Sequence, residues 1–181
     1  MKNFRLIQKD INIRPFHTEI AQHGDLWSTQ RGRAIKVQRE TLSFSLRSAV
    51  PEEGKLLADC HGVTDTSIYD LLPFTTSWLQ PFAKQTGELS LAMVVSLRAK
   101  GKVYPHMDHG EYYKIRDRYH LVLQSNNGSR MTSGDEEQIF KTGELWWFNN
   151  KEVHEVVNES IYPRIHLIFD ILPKGNAHLV K

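Results

Sequence analysis

The sequence predicts a mainly β, antiparallel sandwich or barrel, preceded by a few helices. Three observations carry this. Residues 89–172 divide into short runs rich in Val, Leu, Ile and aromatic side chains, Gly, Asn and Ser turns separate the runs, and no long stretch of helical periodicity interrupts them. The first run is LSLAMVVSLRA, closed by a Gly101-Lys102 turn and followed by KVYPHMD. RYHLVLQS comes next, then a polar NNGSR turn and a segment ending EEQIF. After a Lys141-Thr142-Gly143 turn come ELWWFNN, HEVVNES and RIHLIFDIL. Strands this short are ordered only when each sheet buries one face. Leu121, Leu123, Leu145, Trp147, Leu167 and Phe169 are the expected occupants of an interior shared by two sheets.

The first half of the chain is mixed. Residues 33–48 place Ile35 and Val37, then Leu42, Phe44 and Leu46, on one parity, which predicts one or two strands. Residues 66–86 carry Ile68, Leu71, Leu72, Trp78, Leu79 and Phe82 at helical spacing. Thr66 or Ser67 is placed to cap a first helix there, and Pro73 is expected to separate two short helices. With no repeat and no linker-like stretch, residues 1–181 read as one domain: a mixed α/β part over 1–88 and barrel strands over 89–173.

Composition narrows the function classes. Forty per cent hydrophobic and 24% charged residues are ordinary for a soluble globular protein. A net charge of +2 with no dominant Lys/Arg cluster argues against a nucleic-acid partner. Nowhere do 18 apolar residues run together, so no membrane span is expected, and the N-terminal MKNFRLIQKDINIR lacks the apolar run of a signal peptide. The single cysteine, Cys60, excludes an intrachain disulfide framework and fits a reducing cytoplasm.

Three residues stand out as carriers of chemistry. Positions i and i+2 of a strand share a face, so His106 and Asp108 project together if strand geometry persists through KVYPHMD. His154 opens a later strand, which a sheet can bring to the same mouth. Two neutral imidazoles and one carboxylate on one face of an octahedron leave three positions open, an arrangement suited to non-haem iron(II). In a chain with nine histidines the His-x-Asp spacing alone is matched equally well by a loop histidine and a turn aspartate. Arg164 adds weight. It lies ten residues beyond His154, in an otherwise apolar strand, and an arginine pointing into such an interior needs an anionic partner. An outward-facing arginine on an edge strand is the alternative.

Taken together, GKVYPHMDHG, RDRYHLVLQ, KTGELWWFNNKEVHEVVN and RIHLIFDIL resemble the aspartyl/asparaginyl β-hydroxylase family of 2-oxoglutarate-dependent dioxygenases. The earlier QRETLSFSLR is similar to a segment near the start of such domains. The resemblance implies a double-stranded β-helix, the cupin-like jelly-roll barrel. It implies that His106, Asp108 and His154 ligate Fe(II) and that Arg164 grips the distal carboxylate of 2-oxoglutarate, with O2 as the other co-substrate. Arg118 and His120 match an Arg-x-His pair that holds the keto-acid end of the co-substrate in some members, although Arg118 serves a substrate carboxylate equally well. Asp108 sets the chain beside the bacterial branch that includes free-proline hydroxylases, because the animal-type members lack this carboxylate. It also argues for hydroxylation over halogenation. Where the proline enzymes often have Arg-x-Ser, this chain has Arg164-Ile165-His166.

The expected activity is therefore hydroxylation of an unactivated C–H bond in an amino acid, an amino-acid residue of a peptide or a similar small carboxylate. Arg118, Arg116 and Lys114 would supply positive charge at the mouth, and Tyr112 and Tyr113 lie on the loop expected to pass over it. Asn149 and Asn150 either orient His154 or form a turn. Trp146, Trp147 and Phe148 either back the pocket or pack the core. The rival reading is a cupin-like barrel that binds a metal or small ligand without oxidising anything.

Overall fold

Proline fixes where the helices begin. In this computed structural model, which describes residues 2–28 and 36–180, Pro73 marks the boundary between two helical segments, the first only a single turn. A 3₁₀ turn spans Tyr69–Leu71, and helix α2 starts on Pro73 and runs Pro73–Thr86. A proline at the first helical position loses nothing, since its missing N–H is one the helix would leave unpaired, and its fixed φ suits the turn. Thr66 behaves as expected, its Oγ1 accepting from the Ile68 N–H at 3.2 Å. Helix α1, Arg14–Gln22, likewise has a proline in its first turn. It docks on α2 through Glu19, whose Oε2 accepts from the Thr75 N–H and hydroxyl, each at 2.8 Å.

Eleven strands form two antiparallel sheets among the described residues. They are β1 (Phe4–Gln8), β2 (Thr41–Ala49), β3 (Val63–Asp65), β4 (Gly87–Leu97), β5 (Lys102–His106), β6 (Asp117–Gln124), β7 (Ser129–Ser133), β8 (Glu136–Gln138), β9 (Leu145–Phe148), β10 (His154–Asn158) and β11 (Arg164–Pro173). The larger sheet has the order β1-β9-β6-β11-β4-β2-β3 and the smaller β5-β10-β7-β8. From β4 onward the chain alternates between the sheets, apart from the β7–β8 hairpin. That winding is a double-stranded β-helix, the jelly-roll barrel expected from the sequence. The one helix inside this region is the short α3, Glu111–Lys114. The polar 126–138 segment becomes a turn and the β7–β8 hairpin.

Which face of the larger sheet meets what reverses one expectation. Leu121, Leu123, Leu145, Leu167 and Phe169 share a core with Phe16 and Ile20 of α1 and with Leu79 and Ala83 of α2, and Trp147 packs on the same cluster. They lie between sheet and helices, not between the sheets. The opposite parity faces the second sheet. Val122, Trp146 and Phe148 meet Met131 of β7 and Val156 of β10 there, in a smaller cluster. Alternation separates the two faces of a strand without saying which partner covers each, and the helices took the richer aliphatic face. The barrel interior therefore inherits the polar parity of β6 and β11.

The N-terminal strand reading holds in part. Ile35 falls outside the described residues, and Val37 sits in a 3₁₀ turn, Lys36–Gln38. In β2 Phe44 and Leu46 are fully buried, but Leu42 is 44% exposed. A register irregularity against β4 between Ser45 and Arg47 breaks simple alternation. Strand β1 was not anticipated. It buries only Phe4 and pairs with β9 at the sheet edge.

Candidate metal centre

Strand pairing brings the two histidines together. In the β5–β10 pair His154 lies opposite His106, and their rings sit 4.3 Å apart between centroids. Strand β5 ends at His106, so Asp108 reaches the site from the following loop. Its backbone N–H donates to the Asn150 carbonyl at 3.1 Å, pinning the loop to the chain just before β10. The result places one ligand atom from each of His106, Asp108 and His154 within 4.8 Å of one another.

Each of the three is held so that one atom stays free. His106 Nδ1 lies 2.8 Å from the Tyr104 carbonyl oxygen, and His154 Nδ1 lies 2.9 Å from that of Glu152. A carbonyl only accepts, so each Nδ1 carries a proton, and Nε2 is the ring atom left to face the shared point. Burial, more than the nearby cations, pushes His154 below its ordinary value and keeps it neutral. Asp108 Oδ2 accepts from Arg118 Nη1 at 2.7 Å and from Asn150 Nδ2 at 3.1 Å. Its Oδ1 points towards His106 Nε2, 3.8 Å away. Burial alone would raise the Asp108 carboxyl, but Arg118, the two histidines and Asn150 outweigh it and hold it below the usual carboxylate range. Two imidazole nitrogens and one carboxylate oxygen suit a divalent transition metal with open positions, iron(II) included.

Sequence reasoning missed the residue that organises this network. Asp170, 1% exposed in β11, stands directly opposite Arg118 of β6. Arg118 Nε and Nη2 donate to its two oxygens, each at 2.8 Å, while the Tyr112 hydroxyl donates to Oδ2 at 3.2 Å. Burial would lower the Arg118 guanidinium, yet Asp170 and Asp108 hold it well above its ordinary value. Arg118 thus links the buried Asp170 to Asp108. A lone acid at the parity of Arg164 in RIHLIFDIL, with Arg118 inside the neighbouring strand run RDRYHLVLQ to pair it, was the available signal.

Behind the three residues a narrow cavity, open at its mouth, runs between the sheets. Val95, Leu97, Val103, Met131, Phe148 and Val156 give it apolar walls. Arg164, His120, His106, His154 and Arg118 line it as well. The step from His154 to Arg164 is not a hairpin. It carries the chain from the smaller sheet to the larger, so Arg164 points into the barrel. Arg164 is 6% exposed, lies 4.0 Å from Met131 Sδ and makes no ion pair among the described residues. Burial pushes its guanidinium down to about 9, which still leaves it charged at neutral pH. His120 Nδ1 lies 3.2 Å from His166 Nδ1, so one of the two rings must donate and the other accept. Burial and then Arg164 drive both far below their ordinary value and keep them neutral, and both Nε2 atoms are buried without a partner.

Other expected site residues lie elsewhere. Arg116 is buried and donates to Ser90 Oγ and to the Tyr112 and His61 carbonyls, away from the mouth. Lys114 pairs with Glu111 on the surface. Tyr112 is buried and tied to Asp170, whereas Tyr113 does line the mouth. Asn150 orients Asp108 rather than His154. Phe148 lines the cavity, Trp146 stacks on Phe140 and Trp147 packs on the helix side.

Comparison with known proteins agrees with this geometry. The sequence profile described as aspartyl/asparaginyl beta-hydroxylase matches residues 55–173, more than half of the chain. The chain belongs to the aspartyl/asparaginyl β-hydroxylase family. Over 77 residues it is 31% identical to the L-proline cis-4-hydroxylase of Rhizobium meliloti (strain 1021), covering 42% of this chain and 28% of that one. The match thus spans less than a third of the relative's length. Among solved structures, a 2OG-Fe(II) oxygenase family oxidoreductase from Burkholderia pseudomallei superposes with a TM-score of 0.61 at 11% identity, covering 97% of this chain and 88% of that one. A Pseudomonas putida prolyl-4-hydroxylase gives 0.58 at 14%, over 96% and 94%. A prolyl hydroxylase from Trichoplax adhaerens, bound to a hypoxia inducible factor peptide fragment, gives 0.62 at 11%, over 99% and 87%. These likenesses establish the jelly-roll fold for this family member.

The mouth itself depends on a close approach. Gly110, at φ +117°, packs so tightly on Ala58 that a Cβ would overlap the Ala58 carbonyl oxygen, and the next N–H, of Glu111, donates to Asp59 Oδ1 at 2.9 Å. Gly110→Ala is expected to cost roughly 1–3 kcal/mol through the strained φ and the clash. Chemical denaturation should read this loss, and an unchanged midpoint would refute it.

Proposed function

We propose that the chain is an Fe(II)- and 2-oxoglutarate-dependent dioxygenase that hydroxylates an unactivated C–H bond of an amino acid, an amino-acid residue or a similar small carboxylate. The observation that carries this is a buried arginine without an anionic partner in the same cavity as the His106, Asp108 and His154 cluster. A barrel that only stores a metal has no use for that arginine. The relatives' printed activities, on proline and prolyl substrates, point the same way. The single buried Cys60 suits a reducing compartment such as the cytoplasm.

In this reading His106 Nε2, His154 Nε2 and one oxygen of Asp108 hold iron(II). Bound iron with 2-oxoglutarate and O2 supplies the oxidising power to place oxygen on an unactivated C–H bond. The protein's own part is positioning and exclusion of water. The Tyr104 and Glu152 carbonyls fix both rings, and Arg118 with Asn150 fixes Asp108. Arg164 anchors the far carboxylate of 2-oxoglutarate, with His120 beside it as a neutral hydrogen-bonding group. The apolar walls keep bulk water from these charges, which strengthens each contact.

Anaerobic addition of iron(II) and 2-oxoglutarate should produce a visible metal-to-ligand charge-transfer band, and aerobic incubation should release succinate. His106→Ala should remove both. A wild-type protein with no band, or a His106→Ala protein with an unchanged one, would defeat the proposal.

A further inference from the structure

We infer that the substrate lies along β2, in the cleft that adjoins the mouth, with Arg47 receiving its carboxylate; this rests on the dioxygenase reading above. The mouth, lined by His106, Asp108, Arg118 and Tyr113, shares Ala58, Met93 and Tyr113 with a second cleft. That cleft runs on along β2 and β4, past Ser45, Arg47 and Ser48, and under the 3₁₀ turn Leu57–Asp59. Arg47 is the one Lys or Arg among its described lining residues. The cations expected to meet a substrate carboxylate are not available there: Arg118 is held by Asp170 and Asp108, Arg116 by Ser90 and backbone carbonyls, and Lys114 lines neither the mouth nor this cleft.

Arg47 is differently placed. Its side chain is 19% exposed and anchored at one end, where Nη1 donates to the Leu89 carbonyl. Its Nε lies 2.7 Å from Asp65 Oδ1, but the two are not aligned as a hydrogen bond, and the Asp65 side chain is 51% exposed. An exposed, misaligned partner contributes little and is easily exchanged for a ligand carboxylate. With Nη1 anchored and Nε buried, the guanidinium keeps Nη2 and the second Nη1 N–H, a preset pair, for a ligand carboxylate. Leu57, Met93 and Tyr113 supply apolar wall beside it, and Leu57 and Met107 remain 58% and 45% exposed at the rim. The site therefore fits a molecule with a carboxylate at one end and an apolar body reaching back to the metal mouth.

The test uses the iron(II)–2-oxoglutarate complex without oxygen, adding L-amino acids and glycyl dipeptides, each as the free acid and as its amide. Binding beside the metal is read as perturbation of the charge-transfer band. The best acid should bind at least ~30-fold more tightly than its amide, matching loss of a charge-assisted bidentate contact. Arg47→Gln should weaken the acid by about that factor and make acid and amide equal. Arg47→Lys should keep part of the preference, and Asp65→Asn should leave acid binding as tight or tighter. Equal binding of acids and amides to the wild type, no perturbation by any acid, or an unchanged acid affinity in Arg47→Gln would overturn the inference while leaving the dioxygenase reading intact. A wild-type complex with no band at all would overturn both.

Discussion

Replacing Arg164 with methionine is expected to raise the melting temperature of the metal-free protein while removing its affinity for 2-oxoglutarate. Both effects follow from one fact. The guanidinium is buried, charged and without an ion-pair partner among the described residues. Replacing a buried charge by an apolar side chain of similar volume commonly gains about 1–4 kcal/mol, and here no ion pair is broken to offset that gain. For a chain of this size the gain corresponds to roughly 2–16 °C. Methionine is long and adaptable enough to fill the space beside Met131, so a cavity should not cancel the effect. The co-substrate loses more. Truncating one partner of a buried, hydrogen-bonded charge pair costs about 2–5 kcal/mol, at least ~30-fold in affinity. Calorimetry of the metal-free protein and anaerobic titration of the charge-transfer band read the two effects separately. A lower melting temperature would mean that Arg164 has a structural partner. An unchanged 2-oxoglutarate affinity would remove it from the site.

The same residue shows how far the sequence was informative. Arg164 drew attention because a charge interrupts an apolar strand, and position 166 because its histidine departs from the family pattern. The strands themselves were legible from turns and β-branched runs, since period and punctuation are local properties. Which face of each strand met the other sheet was not local. The aliphatic parity of β6 and β11 went to the helices, and knowing that requires knowing where α1 and α2 dock. The His106–His154 pairing was reachable from motif spacing, whereas the exact cross-strand register depends on the whole sheet. The basic mouth expected from Lys114, Arg116 and Arg118 dissolved for a similar reason. The stretch from the end of α3 into β6 puts three cations close in sequence, but the fold sends one to the surface, one into a buried polar network and one to two carboxylates.

Asp170 carries the second large effect, of opposite sign on stability. In Asp170→Asn the volume is kept and the charge removed, so Arg118 loses its bidentate carboxylate and keeps Asp108 as its one anionic partner among the described residues. Weakening a buried pair by neutralising one member is destabilising by up to about 3–5 kcal/mol, and the surviving contact to Asp108 should keep the loss towards the lower end. Arg118 would then be drawn more fully to the Asp108 carboxylate, whose other oxygen is the proposed iron ligand. Groups that orient a metal ligand typically change metal affinity by 10–100-fold. Iron(II) binding should weaken within that range. The 2-oxoglutarate affinity at saturating iron should hold, because Arg164 lies in a different part of the cavity and shares no hydrogen bond with Asp170. That split separates a residue acting through Asp108 from one that merely supports the fold, since general loosening would lower both affinities together. The double variant with Arg118→Met supplies a further check. If Asp170 acts on the metal through Arg118, adding Asp170→Asn to Arg118→Met should cost little extra iron affinity. Additive losses would mean that Asp170 reaches the metal centre by another route.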